Sequence, residues 1–196
     1  MSTSPGHPDA ARWDKIYREQ ESEPEPPAVL ALFTHLLPAT GRALDIACGL
    51  GAGSLLLARH GLRVDAVDIS GEAIRRLQAR ADSEGLTVNA ISDDIGTIAV
   101  KDPYDVILVS RFLDRSLLTK LSGWLAPGGL LYYQTFTREK PPGMGGPSNP
   151  DYLLAPGELI DAFGDLAPRY YLEEGLAGSL DSGTRGECRL IAQREC

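Results

Sequence analysis

Residues 42 to 68 limit the folds open to this chain more than any other stretch. RALDIA is apolar and strand-like, CGLGAG carries three glycines, SLLLARHG has helical spacing, and LRVDAVD is strand-like again. Gly61 follows Arg59 and His60 and suits a left-handed residue beyond a helix. Two strands joined through a helix lie parallel, and such crossovers are right-handed. The alternation continues along the chain. SGEAIRRLQARA reads as a helix capped by Ser70, with Glu72 in its positive first turn, and LTVNAIS as a strand. PYDVILVS is the near-continuous apolar run of a strand covered on both faces. Asp114 caps a helix with Leu117, Leu118, Leu121 and Leu125 on its inner stripe, stopped by Pro127, Gly128 and Gly129. LLYYQTF, a short helix PGELIDAF with Pro156 in its first turn, and the strands RYYLEE and ECRLIAQRE close the chain. The pattern predicts a single-domain, doubly wound α/β fold with a mostly parallel seven-stranded sheet and the last strand antiparallel. That strand belongs at the edge or one place in from it, because no helix follows it.

Ahead of this pattern, residues 1–25 read as an N-terminal tail and a short flap helix, and 26–196 as the main domain. Residues 1–10 are polar, hold two prolines and should fray. ARWDKIYREQ places Trp13, Ile16 and Tyr17 on one side of a helix, SEPEPP breaks it, and PAVLALFTHLL reads as one helix bearing Val29, Leu30, Phe33, Leu36 and Leu37. The segment 137–150, TREKPPGMGGPSNP, has four prolines and three glycines and is predicted to be a flexible loop or a lid.

Composition excludes several classes of function. At 196 residues and 43% hydrophobic, the chain can bury about 70% of its unfolded surface as one domain. No run approaches the roughly 20 apolar residues of a membrane helix, and the N-terminus lacks the features of a secretory signal. A net charge of −8 argues against a nucleic-acid surface, and Arg75, Arg76 and Arg80 read as one wet helix face. Cys48, Cys188 and Cys196 are odd in number and fit no zinc spacing, so no metal is expected and the thiols read as reduced, in the cytoplasm.

The chemistry concentrates at the first strand–loop–helix unit. Doubly wound sheets bind ligands at the carboxyl ends of their strands, where glycines let a ligand approach the backbone. Asp68 ends the second strand 23 positions after Asp45, where an acid can accept both hydroxyl hydrogens of a ribose. Asp45 separates the possible cofactors. A dinucleotide would set a pyrophosphate beside this carboxylate and be repelled, whereas an ammonium or sulfonium gains roughly 1 kcal/mol or more at 4 Å. S-adenosylmethionine carries both cations.

In order and spacing, LDIACGLGAG, VDAVDIS, Asp94-Ile95, YDVILVS and LAPGGLLYY resemble the successive motifs of class I S-adenosylmethionine-dependent methyltransferases. The likeness covers roughly residues 12 to 135, and W-D-x-x-Y with the small size is most similar to the tellurite-resistance and thiopurine-type members. It implies a Rossmann-like fold and the cofactor S-adenosyl-L-methionine. By the same resemblance, Asp45 binds the methionine amino group, and Ala47, Cys48, Gly49 and Gly51 line the methionine and sugar. Asp68 holds the ribose and Ile69 packs on the adenine. Asp94 and the Ile95 N–H read the adenine edge, while Ser110 and Arg111 close the methionine side. Trp13 and Tyr17 either cover the cofactor or pack in the core. The chain departs from amino-methylating relatives after the fourth strand, where it reads VSRFLD, which disfavours a nucleobase amino group as acceptor.

Methyl transfer asks mainly for alignment and a dry pocket. Arg111, Tyr133 and Thr135 are the catalytic candidates, with Arg138, Lys140 and Tyr152 near the same edge, and no general base is identified. Arg111, Arg138 and Lys140 either orient an anionic small-molecule substrate or stand as solvated charges. A catalytically silent cofactor-binding module and an NAD-dependent oxidoreductase are the alternatives.

Overall fold

The computed structural model describes residues 8–196, so the first seven residues of the tail expected to fray over residues 1–10 lie outside the described residues. In chain order the elements are α1 (Ala10–Glu19), α2 (Ala28–Ala31), β1 (Gly41–Ile46), α3 (Ala52–Arg59), β2 (Leu62–Asp68), α4 (Gly71–Ser83) and β3 (Val88–Ser92). They continue with β4 (Tyr104–Ser110), α5 (Arg115–Trp124), β5 (Leu125–Phe136), α6 (Glu158–Ala162), β6 (Ala167–Glu173) and β7 (Glu187–Gln193). The sheet order is β3-β2-β1-β4-β5-β7-β6. Strands β1 to β5 pair in parallel, and β7 runs antiparallel between β5 and β6. The predicted fold is borne out, with the last strand one place in from the edge.

Two apolar layers enclose the sheet. On one face Leu44, Ile46, Ile107, Val109, Leu131 and Tyr133 meet α5 and α6 through Leu117, Leu121, Leu159 and Phe163. On the other, Ala43, Val64, Ala66, Val106, Leu108 and Tyr132 meet Val29, Leu30, Leu55 and Leu77. Strand β4 is therefore apolar along its length, as its sequence requires. The caps form as read: Ser70 accepts from the Ala73 N–H, and Asp114 from the Ser116 N–H.

Leu125, expected on the inner stripe of α5, instead opens β5, which also takes in Pro127, Gly128 and Gly129. Two further expectations need correction. PAVLALFTHLL is not one helix: α2 stops at Ala31 and a separate turn covers Thr34–Leu36. Long-range contacts override its spacing. Gln134 Oε1 accepts from the Val29 N–H at 2.9 Å, and the Phe33 carbonyl accepts from the Tyr132 hydroxyl at 3.0 Å. Second, Arg76 and Arg80 do not form a solvated face. Arg76 donates to the carbonyls of Tyr17 and Gln20, and Arg80 pairs with Glu23.

Candidate functional site

The glycine turn after β1 is a left-handed run. Ala47, Gly49 and Gly51 have φ of 53°, 54° and 74°. Ala47 tolerates this region only at a cost of about 1–2 kcal/mol, a strain characteristic of functional loops. A Cβ on Gly51 would lie 2.2 Å from Leu77 of α4, and one on Gly49 would lie 2.8 Å from the Tyr17 hydroxyl. The glycines thus answer to the path of the backbone and to close side chains from α1 and α4, not to ligand approach alone.

Strand β1 delivers Asp45 into this turn with 3% of its surface exposed. Its Oδ2 accepts from the Ser54 hydroxyl at 2.6 Å, one turn into α3. Burial pushes the carboxyl up to about 7; the Ser54 bonds oppose that, and the charge of Asp68 adds to it. Asp68 uses both oxygens on the loop, accepting from the Gly49 N–H and the Ser70 N–H, each at 2.8 Å. Burial raises its pKa as well, against the pull of those two bonds. Between them, the Cys48 thiol is held well above its usual range by burial and by both acids, so it is not a thiolate nucleophile. Two desolvated carboxyls flank one loop, and among the described residues no Lys or Arg pairs with either. Burial raises both groups and a neighbouring acid adds to each, so positive charge brought to this loop would be favoured.

The neighbouring strand ends complete the edge. Ser110 closes β4, and Arg111 follows with φ 54° and its N–H on the Gln134 carbonyl at 2.8 Å. Among the described residues the exposed Arg111 guanidinium has no hydrogen bond or ion pair, whereas Arg115 is fully engaged with Glu158 and two carbonyls. After β3, Asp94 caps a one-turn helix by accepting from the Gly96 N–H at 2.9 Å, and Ile95 is buried. Ile69, half-buried, follows Asp68. Asp45, Asp68, Asp94 and Arg111 therefore gather at the carboxyl ends of β1, β2, β3 and β4, the place where strand order switches.

Other candidates sit elsewhere. Tyr133 is buried, packs against Phe163 and donates its hydroxyl to the Phe112 carbonyl at 3.0 Å, with a pKa driven up by burial; it is a core residue, not a base. Thr135 is buried inside β5 opposite Cys188. Lys140 donates to the Gly145 and Pro147 carbonyls and ties its own loop together, while the side chain of Arg138 is exposed. The 137–150 segment is irregular, as predicted, and is anchored where Arg138 N–H meets the Leu154 carbonyl at 2.9 Å. Sequence reasoning missed Ser54, whose only signal was a hydroxyl one turn into the helix after the glycines.

Residues 43–129 match the family model described as a methyltransferase domain. Over 112 residues the chain is 30% identical to ubiquinone biosynthesis O-methyltransferase of Burkholderia vietnamiensis, covering 54% of this chain and 48% of that protein. Over 111 residues it is 29% identical to ribosomal RNA small subunit methyltransferase C of Alcanivorax borkumensis, covering 52% and 34%. The chain thus spans about half or less of the curated relatives it matches. Among solved structures, TehB from Haemophilus influenzae superposes with a TM-score of 0.69 at 21% identity, over 95% of this chain and 67% of that one. The N-methyltransferase NodS from Bradyrhizobium japonicum superposes with 0.66 at 18%, over 96% and 99%. At these identities the likeness establishes the fold alone, a Rossmann-like seven-stranded sheet with one antiparallel strand. No helix among the described residues is long and apolar enough to cross a membrane.

Proposed function

We propose that this chain, whose residues 43–129 carry a methyltransferase domain, is an S-adenosylmethionine-dependent methyltransferase acting on a small molecule. The observation that carries the reading is Asp45: a carboxyl buried at a strand tip, raised to about 7 and without a cationic partner among the described residues. A pyrophosphate beside it would worsen the electrostatics, whereas the amino group of a methionine tail would relieve them. The residues present fit the cofactor, since the desolvated acids of the glycine turn are matched by its cationic tail and its ribose hydroxyls.

S-adenosylmethionine, when bound, supplies a methyl group already activated on a sulfonium. In this assignment Asp45, steered by Ser54, holds the amino group, and Ala47, Cys48, Gly49 and Gly51 line the tail and sugar with backbone. Asp68 holds the ribose hydroxyls, Ile69 packs on the adenine, and Asp94 with the Ile95 N–H reads its edge. Ser110 and Arg111 close the methionine side. The chain's contribution is alignment and exclusion of water, which can lower a barrier by several kcal/mol. We assign no general base, which suits a soft or already acidic acceptor atom. With Lys140 bonded inside its own loop, Arg111 and Arg138 are the cations left to orient an anionic acceptor. The three free cysteines suit a reducing compartment, and we assign the cytoplasm.

Thermal denaturation with each ligand in turn tests the reading. S-adenosylmethionine and S-adenosylhomocysteine at about 100 times Kd should each stabilise by roughly 3 kcal/mol, and NAD should leave the transition in place. Stabilisation by NAD alone would point to an oxidoreductase. Cofactor binding without methyl-donor consumption across a panel of thiols, oxyanions and small acids would point to a silent binding module.

A further inference from the structure

Helix α1 is held in a way that methyl transfer by itself leaves unexplained. It is ten residues long and buries none of its side chains. Trp13 and Ile16 stay 36% and 39% exposed, so its apolar side is not part of the core. A helix this short is marginal in water without outside support. That support is polar and comes from α4. Asp14 accepts from the Ser70 hydroxyl at 2.6 Å and from the Glu72 N–H at 3.0 Å, reinforcing from outside the cap at the start of α4. These bonds, led by Ser70, hold the Asp14 carboxyl below the usual carboxylate range. In the opposite direction, Arg76 of α4 donates to the Tyr17 and Gln20 carbonyls at 2.6 and 2.9 Å, satisfying the end of α1. Each helix caps the other.

This arrangement reaches the glycine turn by two routes. Ser70, held by Asp14 through its hydroxyl, gives its N–H to Asp68, and Asp68 in turn holds the Gly49 N–H. Tyr17, held by Arg76 through its carbonyl, sets its hydroxyl against Gly49 and stacks on Trp13 with ring centroids 5.7 Å apart. Burial and the charge of Asp68 both raise the Tyr17 pKa, so the phenol stays neutral over the loop.

We infer that Asp14 and Arg76 are positioning residues of a latch that holds α1 over the Gly49–Asp68 edge of the cofactor site and slows cofactor release. The inference rests on the S-adenosylmethionine reading above. Neither residue touches the reacting atoms; what they set is how long the adenosyl half stays covered.

The chain has two tryptophans, Trp13 and Trp124. In a Trp124→Phe background, Trp13 emission reports α1 while S-adenosylhomocysteine is displaced in stopped flow. Asp14→Ala and Arg76→Ala should each speed release by about tenfold, and the double variant should go little further, because the two act as one unit. Asp14→Asn keeps an acceptor oxygen and should restore release to within about threefold of the parent. Release at the parental rate in both alanine variants overturns the latch. So does equal acceleration in Asp14→Ala and Asp14→Asn, which would make the effect one of charge. A parent protein that takes no S-adenosylhomocysteine sinks the cofactor reading and the latch together, whereas a parent that binds it beside unaffected variants sinks the latch alone.

Discussion

Asp45→Asn should weaken S-adenosylmethionine binding by about thirtyfold or more while making the empty protein more stable above neutral pH. Removing one member of a buried, hydrogen-bonded charge pair costs roughly 2–5 kcal/mol of binding, which covers that loss and more. Asparagine retains an oxygen for the Ser54 hydroxyl, so the change is one of charge and not of packing. The effect on stability follows from the direction of the shift. The Asp45 carboxyl rises from 3.8 to about 7 in the folded chain, with burial as the main cause. A raised folded value means that its contribution to stability is complete below 3.8 and is lost as pH climbs through about 7. At 1.36 kcal/mol per unit the loss is on the order of 4 kcal/mol by pH 8. Asparagine has no such loss. The gap in Tm between variant and parent should therefore open between about pH 4 and pH 7 and then level off. Binding runs the other way: the cationic tail needs the ionised carboxylate, so parental affinity should fall by up to about tenfold per unit below pH 7. Titration calorimetry at pH 5.5, 6.5 and 7.5 reads both proton release and affinity. A parent-to-variant affinity ratio that does not change with pH would remove the charge from the account.

The order of elements was legible because it rests on local periodicity. Strand β4 reads as apolar because both of its faces are covered, and Ser70 and Asp114 cap helices within three residues of their own position. The placement of Asp45, Asp68 and Asp94 at or near strand ends was legible too, since a strand end fixes where its side chain emerges. What stayed hidden depends on partners far away in the chain. Arg76 looked like surface charge because the carbonyls it meets lie 59 and 56 positions earlier. The break in PAVLALFTHLL is imposed by Gln134 and Tyr132, about a hundred residues later. Tyr133 looked available at the carboxyl edge of the sheet, yet the sheet turns it inward, onto the Phe112 carbonyl. Alternation along β5 puts Tyr133 and Tyr132 on opposite faces, but it does not say which face opens to a ligand.

Gly51→Ala should destabilise the fold by roughly 2–5 kcal/mol and damage the cofactor site with it. Two costs combine. At φ 74° a residue with a Cβ loses about 1–2 kcal/mol in the left-handed region. The new Cβ would also stand 2.2 Å from Leu77 Cδ1 and 2.8 Å from its Cγ, in a layer where Leu77 is fully buried and overpacking costs about 1–3 kcal/mol. For a chain of this size each kcal/mol lowers Tm by about 2–4 °C. Gly85→Ala separates the two costs, because Gly85 has φ 66° with nothing within 4 Å of a Cβ and should show the backbone cost alone. Leu77→Ala supplies the other control. Combined with Gly51→Ala it should be less destabilising than the two losses summed, by about 0.5–3 kcal/mol, since the cavity receives the new methyl. Function should follow packing here. Gly51 is the residue on which α3 begins, its carbonyl accepts from the Leu55 N–H, and Ser54 on that first turn holds Asp45. A strained start to α3 moves the one hydroxyl that orients the acid. Gly51→Ala should therefore lose S-adenosylmethionine affinity as well as stability, whereas Gly85→Ala, at the far end of α4, should lose stability only. Equal Tm losses in the two variants would show that Leu77 yields freely and that the glycine answers to the backbone alone.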